Sequence, residues 1–334
     1  MIDLNISYPI PAHLTWNIQD STKIKCFMEC PRKYFFEYTL GWRLDRPNIH
    51  LIFGAAWHEA LAYLYMNGFD KTNIKEAFYN HFLPYYRTYI DPDDDEIYTP
   101  KTPARAYLAL AYYSTMREKF MQDYEIVYHE DKPMVEIGGT VNLTEDHVIS
   151  FKMDTIIKSR LGISALEHKT GSNTWNWSLQ WYLSMQIGTY SHVLNCLYPP
   201  EDVRGVLIDG IFFKKTKDNP KTDAKDPFRH FDFMEIPIYH NDSIMNQWLN
   251  NAIMWLDMID FNLSSLVEES DSKPILQAFP MNTTGCANWF GCLYHDFCRA
   301  WANPLQHSEE PPIGFKIDFW NPLLPDEVKV KLEL

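Results

Sequence analysis

Apolar residues recur at helical spacing along "STKIKCFMEC", and Asp20 or Ser21 stands where such a helix needs its cap. Pro31 then either opens a new helix or bends the first. A second helical pattern, "IFGAAWHEALAYLYMNG", is rich in alanine and meets its stop at Gly68. From Asp70 to about Tyr128 the pattern stays helical, interrupted by "DPDDDEIYTPKTP", whose prolines and acids mark an exposed loop.

From Lys132 to Thr170 the period changes to that of strands. "MVEIGGTVNL", "VISFKMDTIIKS" and "ISALEHKT" are separated by turn residues and predict an antiparallel meander. "SLQWYLSMQIGTYSHVLNCL" returns to a helix and "RGVLIDGIFFKK" to a strand. "HNDSIMNQWLNNAIMWLDMIDF" is a further helix, capped between Asn241 and Ser243. This order predicts an α/β fold: a mixed sheet flanked by helices, in a single domain spanning 1–334, with a helical insertion at 70–130. The cysteine-rich segment 276–300 is expected to be irregular and to need something to hold it.

Composition narrows the picture. The chain has 334 residues, 46% of them hydrophobic, enough for a large core. No apolar run is long enough for a membrane span, and the N-terminus lacks the basic and apolar regions of a signal peptide. A soluble, intracellular protein with no membrane partner is expected. A net charge of −14 argues against a surface that grips a polyanion everywhere, and leaves room for a local basic groove or for metal ions. "FFKKTKDNPKTDAK", with Lys214, Lys215, Lys217, Lys221 and Lys225, is the best local basic segment for a nucleic-acid strand, although a solvated loop would read the same way.

The candidate chemistry centres on "LEHKT". Residues two apart on a strand share a face, so Glu167 and Lys169 project together while the His168 ring points away. Asp154, on the preceding strand, comes beside Glu167 if the chain turns near Ser159 to Gly162. Two adjacent carboxylates repel unless a cation lies between them, and oxygen ligands suit Mg²⁺ or Mn²⁺. The backbone carbonyl of His168 offers a further oxygen. Lys169 is placed to orient or deprotonate water, or to stabilise phosphoryl charge.

A Glu-x-Lys pair alone says little, since it recurs at Glu130 to Lys132 and Glu327 to Lys329. Only the copy at 167 follows a strand bearing an aspartate. His58 lies one helical turn after Gly54, a glycine that would admit close approach. It is a candidate nitrogen ligand, though a lone histidine is also commonly satisfied in a helix interface. Gln186 and Tyr190, at i and i+4, share a helix face and can bind a phosphate or a base.

Cys286, Cys292 and Cys298 recur at intervals of six residues. Steps of about 600° would scatter them around a helix, so a loop wrapped around a metal explains them better. Three ligands need a fourth, and Cys30 is preferred to Cys26 and Cys196. Four thiolates suit a [4Fe–4S] cluster or a structural Zn²⁺.

Taken in order, "CPRKYFFEY", "GAAWHEAL", "MDTIIKS", "LEHKT", "QIGTY" and the cysteine trio resemble the PD-(D/E)xK nucleases of the RecB-like branch. That branch includes the CRISPR-associated Cas4 nucleases and the nuclease domain of AddB helicase-nucleases. The resemblance spans about residues 20 to 300 and implies a restriction-endonuclease-like core. It would make His58, Asp154 and Glu167 metal ligands, Lys169 the catalytic lysine, and Gln186 with Tyr190 a motif assisting substrate binding. Cys30, Cys286, Cys292 and Cys298 would hold an iron–sulfur cluster, although the first interval of the trio is longer than in those relatives.

The function implied is a metal-dependent DNA nuclease, an exonuclease on single-stranded DNA or DNA ends. No G-x-x-x-x-G-K-[ST] loop is present, so unwinding would fall to a separate helicase or recombination protein. The alternatives are a nucleic-acid-binding or assembly subunit of the same fold with little cleavage, and a structural zinc protein.

Overall fold

The Asp20 carboxylate accepts the Lys23 N–H at 2.8 Å and so caps α1, Ser21–Glu29. Cys30 leaves the helix in an extended conformation, and Pro31 opens α2, Pro31–Tyr34, instead of bending α1. The computed structural model describes residues 2–172, 174–217, 219–226, 228–287, 291–323 and 328–334. Beyond α2 come a π turn, Phe35–Thr39, and β1, Trp42–Leu44. The helix α3, Ile49–Asn67, ends at Gly68, whose φ of +95° no other residue type adopts readily.

The helical region comprises α4, Lys71–Glu76, a π turn at Ala77–Phe82, α5, Leu83–Arg87, a 3-10 helix at Pro92–Tyr98 and α6, Pro103–Phe120. It stops earlier than the pattern suggests. Tyr124–Ile126 is a strand, β2, because it finds a partner in the far end of β6, Val148–Ser159. Two short strands, β3 (Tyr128–His129) and β4 (Lys132–Pro133), pair with each other.

β5, Val135–Asn142, β6 and β7, Gly162–Gly171, form the expected antiparallel meander. The helix α7 begins at Met185, where Ser184 caps it, and runs to Leu197; Trp177–Gln180 upstream is only a 3-10 turn. This helix crosses back to β8, Val203–Phe213, which lies parallel to β7. After it come α8, Pro220–Asp223, β9, Phe231–Ile238, antiparallel to β8, and α9, Asp242–Ser265, capped by Asn241. The C-terminal region holds α10, His295–Ala300, then β10, Phe315–Ile317, pairing with β1, and β11, Val330–Glu333, which adds parallel to β5. The sheet order is β11-β5-β6-β7-β8-β9, with β2 on β6.

Each face of this mixed sheet has its own core. On one, Ile137, Met153, Ile156 and Phe212 pack with Ile24, Tyr190 and Trp248 from α1, α7 and α9. On the other, Val135, Ile157, Leu166 and Phe213 meet Phe53, Trp57, Tyr86 and Tyr113 from α3, α5 and α6. The helical stretch after residue 70 is therefore one wall of the molecule. Among the described residues no helix is long and apolar enough to cross a membrane.

Candidate active site

The meander aligns three acids in one row. Pairing Val135 with Thr155 and Ile137 with Met153 puts Glu136 opposite Asp154, and pairing Thr155 with Leu166 puts Asp154 next to Glu167. At this row the ladders open: Glu136 takes a left-handed φ of 51°, and the β6–β7 pairing ends at Thr155. The His168 N–H, released from the ladder, donates to Asp154 Oδ2 at 2.6 Å. Asp154 Oδ1 meets His58 Nδ1, from α3, at 3.0 Å.

One ligand atom from each of His58, Glu136 and Asp154 lies within 4.8 Å of the other two. Glu136 also pairs with Lys152 at 3.2 Å. Glu167 is in contact with the Lys169 ammonium, as expected for two residues on one strand face, and lies outside the close trio. Its second oxygen, Oε2, is buried without a hydrogen-bond partner.

The electrostatics follow from this crowding. Burial, then the Asp154 charge, pushes Glu136 up to about 7 and Glu167 likewise up to about 7. Burial works against the Asp154 carboxylate too, yet His58 and then the positive charge near His168 and Lys169 hold it well below the usual range. Burial disfavours the charged His58 ring, but Asp154, Glu136 and Glu167 outweigh it and raise it to about 9. Three carboxyl groups and one imidazole thus share a pocket that a divalent cation would relieve. Oxygen-rich donors with one nitrogen fit Mg²⁺ or Mn²⁺.

The His168 ring lies on the other side of β7. Its Nδ1 is 3.1 Å from Asp209 Oδ2, and Asp209 is in turn held by the Arg117 guanidinium and by the Tyr113 hydroxyl at 2.6 Å. Gln186 donates to the Tyr190 hydroxyl at 2.8 Å, and that hydroxyl donates to the Lys152 main-chain carbonyl. The pair thereby ties α7 to β6 two residues from Asp154. Gly54 is not crowded: a Cβ there would meet only Thr170 Oγ1, at 3.7 Å.

Cys30, Cys286, Cys292 and Cys298 all line one cavity of about 350 Å³. The Asn282 N–H donates to Cys30 Sγ at 3.3 Å, and Arg32 holds the carbonyls of Leu276 and Phe279 at 3.0 and 2.9 Å. Cys26 instead faces Glu37 at 3.9 Å, and Cys196 is exposed on α7. Burial raises the Cys298 thiol to about 11 even with Arg32 nearby. Within the basic segment, Lys214 is paired with Asp232 at 2.9 Å, while Lys215, Lys217, Lys221 and Lys225 are exposed. Asp218 in that segment, and Glu327 of the third Glu-x-Lys pair, lie outside the described residues.

Glu136 is the site residue that the sequence reading passes over. Its signal is an acid between Val135 and Ile137 in a strand, a position that a two-faced core would otherwise fill with an apolar side chain.

No curated protein matches the chain. Residues 21–299 match the family model of the PD-(D/E)XK nuclease superfamily, a span from the first residue of α1 to the residue after Cys298. The mixed sheet flanked by helices agrees with the restriction-endonuclease-like fold. The chain belongs to the PD-(D/E)XK nuclease superfamily.

Proposed function

We propose that the protein is a metal-dependent deoxyribonuclease, working as an exonuclease on single-stranded DNA or DNA ends. The observation that carries the reading is the convergence of His58, Glu136 and Asp154 beside the Glu167–Lys169 pair. His58, Asp154, Glu136 and Glu167 would hold Mg²⁺ or Mn²⁺. The His168 carbonyl supports them, because the main-chain groups of one strand residue point to the same side and its N–H faces Asp154. Such an ion, when bound, polarises a phosphate oxygen and acidifies its water.

Lys169 then supplies a positive charge and a proton donor at the developing phosphoryl charge, held in place by Glu167. Tyr190 and Gln186 keep β6, and with it Asp154, at a fixed distance from α7. The preference for single strands or ends rests on the resemblance to the RecB-like branch. So does the assignment of unwinding to a separate helicase or recombination protein.

The four cysteines would hold a [4Fe–4S] cluster. Among the described residues no three of their sulfurs lie within 4.8 Å of one another, whereas a single tetrahedral zinc at about 2.3 Å draws its sulfurs to about 3.8 Å. The cavity of about 350 Å³ favours the larger group. Protein purified without air should contain iron and sulfide and absorb visible light; zinc alone would overturn this part. End-labelled single strands blocked at the 5′ or the 3′ end test the exonuclease reading with Mn²⁺. Shortening from one open end supports it, and cuts confined to the interior overturn it.

A further inference from the structure

The face of α3 that reaches the metal centre carries His50, Gly54 and His58 at successive turns. Beside it, one residue before the end of β7, lies Thr170, the neighbour of Lys169. Between the two, Lys101 enters from the stretch that links the 3-10 helix Pro92–Tyr98 to α6. The sequence reads this stretch as an exposed loop, yet Lys101 is only 3% exposed. Its Nζ lies 5.5 Å from the centre of the Phe53 ring and donates to Thr170 Oγ1 at 3.3 Å. No carboxylate among the described residues pairs with it.

A buried ammonium ordinarily has charged or carbonyl partners, because leaving it unpaired is costly. Lys23, the other buried lysine among the described residues, obeys this rule: it donates to the carbonyls of Thr15 and Ile18 at 2.6 and 2.7 Å and lies beside Asp20. Burial alone draws Lys101 down to about 8. Gly54 leaves space next to it, since an added Cβ would touch nothing but Thr170 Oγ1.

A second lysine bears on the same end of α3. His50 is lowered by burial and then by the charges of Lys101 and Lys215. Arg105 fixes the segment bearing Lys215 by donating to the carbonyls of Lys214 and Thr216 at 2.8 and 2.9 Å. From Gly54 to His58 the helix rises about 6 Å, comparable to the distance between neighbouring phosphates of an extended strand.

We infer that Lys101 and Thr170 form a phosphate-binding subsite one helical turn from the metal centre, which takes the backbone phosphate next to the scissile one and leads the strand out past His50 and Lys215. The subsite rests on the nuclease reading for its ligand, but it can be tested without cleavage. In the absence of divalent ions, inorganic phosphate should raise the melting temperature of the native chain. The rise should be lost in Lys101→Met, reduced in Thr170→Val and partly kept in Lys101→Arg.

With Ca²⁺ present, Lys101→Met should bind a short single-stranded DNA roughly tenfold more weakly. The slope of log affinity against log salt should fall by about 0.7, one phosphate contact fewer. Without phosphate, Lys101→Met should melt no lower than the native chain, since a methyl group replaces an unpaired charge. Should it fail to fold, Thr170→Val and Lys101→Arg carry the test, each with a smaller phosphate response than the native chain.

An unchanged phosphate response and salt slope in these variants, in a protein that cleaves DNA, overturns the subsite and leaves the nuclease reading intact. A Lys101-dependent phosphate response in a protein that cleaves no DNA has the opposite meaning: the subsite stands and the nuclease reading falls.

Discussion

The row Glu136, Asp154, Glu167 shows how single residues are read or missed. Asp154, Glu167 and Lys169 are legible because strand alternation and one tight turn fix their relation. Glu136 is not, because its alignment with Asp154 depends on the register of a second hairpin. Its like charge beside Asp154 gives a test. In the metal-free protein at alkaline pH, Glu136→Gln should raise the melting temperature, while calorimetry should show weaker Mg²⁺ binding; unchanged Mg²⁺ affinity would remove Glu136 from the site.

Titration gives a second test. Glu136 and Glu167 bind protons more readily folded than unfolded, so they cost stability as pH rises from 4.5 to about 7. The stability that His58 contributes is full below 6.5 and is lost as pH rises through about 9. Asp154 adds stability above 3.8 that is lost only as pH falls, so it does not offset the others here. The chelator-treated protein should therefore melt lower at about pH 9 than at about pH 6, and Mg²⁺ should raise the melting temperature more at the higher pH.

At the scale of elements, α1, α3, the meander and α9 are legible because caps, stops and periodicity agree. β9 and β11 are not. The alternation of β9 is interrupted by Pro237 at the sheet edge, and β11 is four residues whose strand character comes from the neighbouring Ile137–Thr140 backbone. α7 starts later than its apolar pattern because Ser184 captures the Ile187 N–H. The packing of α7 on α9 explains Gly188, where a Cβ would fall 2.1 Å from the Trp248 ring. Trp248 is itself held by a bond to the Met185 carbonyl at 3.2 Å, so it cannot easily yield. Gly188→Ala should cost about 1–3 kcal/mol in denaturant unfolding, with the residual metal affinity of the folded fraction unchanged.

At the scale of the whole molecule, the cysteine cavity joins the segment around Cys30 to the region around residues 276–300. The sequence allows this closure to be read from the need for a fourth thiolate. It does not reveal the supports, Arg32 on the Leu276 and Phe279 carbonyls and Tyr294 on the Trp42 carbonyl, which only the folded chain brings together. Loss of the proposed cluster, in Cys292→Ser for example, should expose the C-terminal segment to proteolysis and lower the melting temperature. The central claim is that the meander and α3 build a cation-dependent centre for phosphodiester hydrolysis. Degradation of end-labelled DNA with Mn²⁺ by the native chain, Asp154→Asn and Lys169→Met tests it most directly. The native chain should cleave, chelator should abolish the cleavage, and each substitution should lower it by about 10²-fold or more. Absence of cleavage, or cleavage unchanged by both substitutions, would contradict it.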